Sequence, residues 1–161
     1  MGNPIHITML KKIALGLLVL FILLQFYRPA RNRSAAAQPN DISQVYPVPA
    51  NIQTILDKSC NDCHSNNTNY PWYTEIQPVG IWTQNHVNEG KEELNFSEFK
   101  TYTAKRQAKK MHEVVEMIEE NEMPLNSYLW IHGDAKLNAE EKTSLIAWAK
   151  GFGGGTSSET E

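Results

Sequence analysis

Cys60, Cys63 and His64, in the run Cys60-Asn61-Asp62-Cys63-His64, are the residues of this chain whose types and spacing state a chemistry. Two thiols three positions apart lie on one face of a helical turn. Both sulfurs can then reach the two vinyl groups along one porphyrin edge, and the histidine directly behind them can offer its imidazole to the iron. One short turn thus supplies two covalent tethers and one axial ligand for a single c-type haem. A thioredoxin-like pair also uses Cys-x-x-Cys, but it follows a buried strand in a βαβ unit, and the residues before Cys60 do not read as a strand. A zinc knuckle needs a fourth ligand and usually a second cysteine pair, whereas the chain holds two cysteines in all. With both spent on thioethers, no disulfide is expected even in an oxidising compartment.

A low-spin electron carrier needs a sixth iron ligand, and the candidates are Met111, Met117, Met123, His86, His112 and His132. Met111 falls in a helical stripe that core packing explains. Met117 and His112 sit on the same charged helix without distinguishing context. Met123 differs. In Glu122-Met123-Pro124-Leu125 the proline disfavours helical geometry at the residue before it, so the thioether sits in a loop where the helix must end. A flexible thioether held on a loop can approach iron opposite His64, and Met-Pro is a frequent form of the distal ligand in small cytochromes c. Met123 is therefore the expected sixth ligand, ahead of His86 or no protein ligand. The His64 nitrogen that leaves the metal should be oriented by a second acceptor, expected from a backbone carbonyl near Pro71 or Pro78.

The elements that must position these groups read as helices joined by loops. Asn51 can cap a helix whose apolar side is Ile52, Ile55, Leu56, Cys60 and Cys63, a stripe that leads into the attachment turn. Residues 65–80 are rich in Asn and carry Pro71 and Pro78, which argues for irregular backbone. Tyr70, Trp72, Tyr73 and Trp82 crowd that region, either as core aromatics or as a wall against the porphyrin. Asn95-Phe96-Ser97-Glu98 opens a longer helix with Met111, Val114, Val115 and Ile118 on its buried face. Its lysines precede its glutamates, against the helix dipole. A solvated face with pairs such as Lys109 to Glu113 accounts for this better than a docking surface. Asn138 and Glu141 form a capping-box pattern for a last helix with Leu145, Trp148 and Ala149 on its apolar face and Gly151 as its stop. No strand pattern is persuasive, so the predicted fold is all-α: a small cytochrome c-like domain around one covalent haem, preceded by one membrane helix.

Residues 13–24 are twelve apolar residues without charge, flanked by Lys11 and Lys12 before and by Phe26, Tyr27 and Arg28 after. Taken from Met9 to Tyr27 the stretch is nineteen residues, with basic ends that can snorkel, so a single span is feasible. A cleaved signal peptide has a similar start. The small-residue run Ala35-Ala36-Ala37 lies more than ten residues beyond the apolar core and behind three arginines, which favours an uncleaved anchor. Charge is split along the chain. Residues 1–48 carry five basic side chains against Asp41, and residues 49–150 carry ten basic against fifteen acidic, with an overall formal net charge of −3. Nothing in this resembles a nucleic-acid footprint. The expected organisation is an anchor at 1–27, a proline-rich tether at 28–49, a haem domain at 50–150 and a disordered tail at 151–161.

With these motifs in hand, the chain resembles the bacterial haem-binding domain family of small membrane-anchored, c-type cytochrome-like proteins. The resemblance runs through C-N-D-C-H-S-N-N-T-N-Y-P-W-Y from Cys60, H-V-N-E-G-K-E-E-L-N-F-S-E-F from His86, N-E-M-P-L-N-S-Y from Asn121 and I-H-G-D-A-K-L from Ile131. It covers roughly 41–150, and the span followed by Gln25-Phe26-Tyr27-Arg28-Pro29 is similar to the family's usual start. The resemblance implies covalent haem at Cys60 and Cys63 with His64 as ligand. Phe99 stands where the family commonly has tryptophan.

These features lead to an expected function. The chain should be an electron carrier rather than an enzyme, using one haem c with iron cycling between ferric and ferrous. Haem is joined to c-type cytochromes outside the cytoplasmic membrane, so the domain should face the periplasm or cell exterior. Tethering would confine it near redox partner proteins in or beside the membrane and raise their effective concentration. A haem peroxidase accessory or a small-gas or redox sensor would instead need an open iron position, for which His86 or His132 could serve as polar distal groups.

Overall fold

The computed structural model describes residues 4–153, and every regular element among them is helical. The seven α-helices are α1 (Pro4–Leu24), α2 (Ala50–Ser59), α3 (Asn61–His64), α4 (Val79–Glu93), α5 (Ala104–Glu119), α6 (Asn126–Leu129) and α7 (Ala139–Lys150). The chain divides into two compact units, one built from the residues up to Arg31 with Asn69–His86, the other from Asn32–Thr68 with the chain from Val87 onward.

In the first unit α1 is apolar over Ile7–Leu24 and presents those side chains outward, as a helix long enough to cross a membrane would. Its 21 residues span about 31 Å at 1.5 Å per residue. Gln25 closes the end of this helix against a distant segment: its Nε2 donates to the Gln77 carbonyl at 3.1 Å, and the Gln77 backbone N–H donates to its Oε1 at 3.0 Å. The region expected to be irregular contains a 3-10 turn at Trp72–Glu75 and the start of α4 at Val79. Trp72 and Trp82 are 76% and 46% exposed, so neither is a core aromatic.

The second unit holds the hydrophobic core. The sequence stripe places Ile52, Ile55 and Leu56 on one face of α2, and these meet Met111, Val115 and Ile118 of α5 and Leu145 and Ala149 of α7. Phe99 is fully buried between Tyr46, Tyr102 and Phe152.

Several boundaries differ from expectation. Helix α2 begins two residues earlier, with Pro49 rather than Asn51 at the cap position. Asn95 caps a 3-10 segment, Phe96–Thr101, while Thr103 caps α5 by accepting from the Arg106 N–H. Residues 32–49 do not form a free tether, because Ile42 lies in the core and the Tyr46 hydroxyl donates to Gln107 at 2.8 Å. At the other end Gly151–Gly153 form a 3-10 turn, and the Phe152 ring packs 4.4 Å from Tyr46 and 5.1 Å from Trp148. The rest of the expected tail, 154–161, lies outside the described residues.

The charge order on α5 is accommodated by pairing. Lys109 lies 3.4 Å from Glu113, as expected, and Lys150 of α7 reaches Glu119 near the helix end at 3.2 Å. The capping box of α7 is complete: the Glu141 N–H donates to Asn138 Oδ1, and the Asn138 N–H donates to Glu141 Oε2, both at 2.9 Å. Replacing Asn138 by Ala removes the first of these bonds. Equilibrium denaturation of N138A should show a loss of about 1 kcal/mol.

Candidate functional site

Helix α2 ends on Cys60, whose backbone bends away from helical geometry and becomes the cap residue of the single turn α3. The Cys63 and His64 N–H groups both donate to the Cys60 carbonyl, at 3.1 and 2.9 Å, so the motif closes on itself as the predicted helical turn. Neighbours fix it from several sides. Thr68 Oγ1 donates to the Asp62 carbonyl at 2.6 Å, Ser65 Oγ donates to the Asn61 carbonyl at 2.7 Å, and the Tyr128 hydroxyl donates to Asp62 Oδ2 at 2.7 Å.

The end of α4 grips the turn most closely. A Cβ added at Gly90 would lie 2.8 Å from the Cys63 carbonyl oxygen and 3.0 Å from Cys63 Cβ, so only glycine lets the two backbones approach this far. Four residues on, the Leu94 carbonyl accepts from His64 Nδ1 at 2.9 Å. This is the acceptor expected near Pro71 or Pro78. It comes instead from just past the last residue of α4, where a helix leaves carbonyls without intrahelical partners. With Nδ1 occupied, Nε2 is the nitrogen left for a metal.

His64 lines a cavity of about 460 Å³, a size usual for a ligand site. Cys60 and Met123 line it too. Leu56, Leu94, Phe96, Val114, Ile118 and Leu145 make its walls mostly apolar. Phe96 also meets the His64 ring edge-on at 6.4 Å. Cys63 is not part of the lining and stands against Gly90.

Met123 reaches the cavity through a specific helix ending. Asn121 adopts φ 60°, the left-handed conformation that stops α5. The Glu122 N–H then donates to the Met117 carbonyl at 2.9 Å and the Asn121 N–H to the Ile118 carbonyl at 3.3 Å, which is a Schellman closure. The chain turns back, and the Met123 N–H also reaches the Met117 carbonyl at 3.3 Å. Met117 itself lines the cavity, so a second thioether is present that sequence reasoning passed over. Its signal was available: Met117 lies six positions after Met111 and beside Ile118, on the edge of the same stripe.

The remaining candidates fall elsewhere. Met111 is fully buried in the core, as expected. His86 is half-buried on α4, with its ring 4.5 Å from Trp82 and its Nδ1 3.1 Å from the Trp82 carbonyl. His132 stacks on Tyr128 at 4.0 Å, and His112 pairs with Glu116 on the exposed face of α5. None of these three lines the cavity.

The electrostatics suit a neutral ligand set. Burial lowers the pKa of His64 against the opposing pull of hydrogen bonds to the Leu94 and Gly90 carbonyls, so the imidazole is uncharged at neutral pH and keeps a lone pair for a metal. As free thiols, Cys60 is pushed up to about 12 by burial and then by Cys63, and Cys63 to about 11 by burial and then by Asp62. Only the thiolate is nucleophilic, so the haem-free chain should alkylate at these cysteines far more slowly than free cysteine at pH 8. Because both values are raised, the rate should climb only as pH approaches them. Timed iodoacetamide labelling across pH 7–10 checks this, and labelling at the rate of an unfolded control would refute it. At the cavity edge Lys110 bridges Glu93 at 3.0 Å and Glu113 at 2.8 Å.

A helical turn carrying two cysteines and a histidine, set in an apolar cavity that also holds two thioethers, is an arrangement fit for a porphyrin. Comparison with known families decides the matter, since the haem-binding domain pattern matches residues 19–151. The chain belongs to the haem-binding domain family. No curated protein and no solved structure gives a significant match. In this haem-binding domain the matched region runs from within α1 to the end of α7 and so includes every cavity residue.

Proposed function

We propose that this haem-binding domain is a membrane-anchored monohaem c-type cytochrome that transfers electrons on the periplasmic or outer side of the cytoplasmic membrane. The observation that carries this reading is the shared cavity of Cys60, His64 and Met123. When bound, haem c supplies an iron that cycles between ferric and ferrous states. Cys60 and Cys63 would hold the porphyrin through thioethers, and His64 through Nε2 and Met123 through its thioether would be the iron ligands. Leu94 orients the imidazole, and the aliphatic walls keep water away from the metal. Helix α1 confines the protein to the membrane, where redox partner proteins meet it at raised effective concentration.

Support for a carrier over a peroxidase or gas sensor comes from His86 and His132, which are engaged with Trp82 and Tyr128 and do not line the cavity. The test is addition of carbon monoxide to the reduced protein and cyanide to the oxidised protein. Spectra should be those of a six-coordinate low-spin haem and should change slowly or not at all. Rapid, complete ligand binding to the resting protein would replace the carrier reading with an open-site enzyme or sensor.

A further inference from the structure

A second cavity, of about 260 Å³, lies within the unit that contains α1, and its walls have a different chemistry. Arg28 and Arg31 both line it, together with Glu75, Tyr70 and Thr74. Arg31 Nη2 donates to Glu75 Oε1, and its guanidinium carbon stands 4.4 Å over the Tyr70 ring. Arg28 Nη1 donates to the Glu75 carbonyl at 2.5 Å and lies 3.8 Å from its carboxylate. These contacts fix both guanidiniums, yet they leave Arg31 Nη1 shut off from bulk water with no hydrogen-bond partner.

A guanidinium carries only donors, and a buried charged donor without an acceptor is costly. Such a group marks a place where an acceptor is missing. Two arginines share one carboxylate here, so the cavity wall carries one unbalanced positive charge. A singly charged oxyanion in the cavity would neutralise that charge, and a rotation of the Arg31 guanidinium toward it would give Nη1 its acceptor. Phosphate oxygens match the planar donor fork of arginine. The cavity's first residue, Arg28, comes four positions after Leu24, the last residue of α1. Basic residues so close to the end of a span lie at headgroup depth.

We infer that this cavity is a phosphate-oxyanion site, filled by the phosphodiester of an anionic phospholipid headgroup at the end of α1. The lipid source rests on the reading of α1 as a membrane span, whereas the oxyanion chemistry does not.

The test uses the full-length, haem-loaded chain in nanodiscs of mixed phosphatidylglycerol and phosphatidylcholine, with native mass spectrometry of the lipids that leave with the protein. The wild-type chain should retain one phosphatidylglycerol in preference to phosphatidylcholine. R31Q and R28Q should each retain it about tenfold less, the size expected from losing one charge-assisted contact. R33Q removes the same charge from a residue that does not line the cavity and should retain it as the wild type does. Unchanged thermal unfolding and haem spectra in the variants exclude misfolding as the cause.

Equal losses in all three variants would mean diffuse attraction to a basic segment and would overturn the site, as would retention of both lipids alike. Displacement of phosphatidylglycerol by millimolar inorganic phosphate would keep the oxyanion site and reassign its source to free phosphate. Alkaline carbonate washing of membranes separates the two readings. If wild-type chain is released, the span falls, and the site then stands only if inorganic phosphate stabilises the wild type and not R31Q.

Discussion

Acid-acetone extraction should strip the colour completely from a C60S/C63S double variant and leave it on the wild-type polypeptide. Serine preserves the size and packing of both positions, so the core around α2, α5 and α7 survives while both thioethers vanish. On the proposed reading, what would remain to hold the porphyrin is coordination by His64 and Met123 and contact with apolar walls, and acid removes the His64 bond by protonating the imidazole. Each single variant should keep its haem through one bond. C60S is expected to be the weaker of the two, because Cys60 lines the cavity while Cys63 backs onto Gly90. Intact-mass measurement gives an independent readout, with one haem added to the wild type and none to the double variant after extraction. Wild-type protein that loses all its colour, or shows no added mass, would end the covalent assignment while leaving haem binding itself in place.

The second large effect concerns the sulfur ligand. Oxidised wild-type protein should show the weak near-infrared band of sulfur-to-iron charge transfer, and Met123→Ala should abolish it. Because a methionine ligand raises the iron potential, the variant should also become easier to oxidise, by on the order of 0.1 V within the ~0.8 V range that axial ligands command. Met117→Ala is the necessary companion, since both thioethers line the cavity. It should leave the band intact. The reverse pattern, with the band lost in M117A and kept in M123A, would move the ligand to the helix and make the loop methionine a wall residue.

The parts of this protein that the sequence revealed are those written in residue types at short range. The Cys60-to-His64 spacing and the Asn138 and Glu141 box each depend on neighbours within five positions, and they form the helical turn and the cap expected of them. Helix α4 escaped notice because it carries no apolar stripe: Val87 is buried, while Val79 and Trp82 are exposed. The acceptor for His64 escaped for a deeper reason. It is a backbone carbonyl thirty positions away, and every residue has one, so no side-chain pattern distinguishes Leu94. The proline-rich arm misled through its composition, since one well-placed Ile42 and one Tyr46 hydroxyl suffice to dock a segment that otherwise reads as linker. Asn121 was readable in principle, because asparagine is the residue after glycine most tolerant of left-handed backbone, and it alone explains how Met123 is delivered.

Gly90 and Leu94 together make α4 the seat on which the attachment turn rests. With no space at one contact and a directed bond at the other, seat and turn must move as one rigid piece. The orientation of the His64 ring is then inherited from the end of α4, through one glycine contact and one backbone carbonyl. A substitution at Gly90 would therefore reach the imidazole while every residue that lines the cavity stays the same.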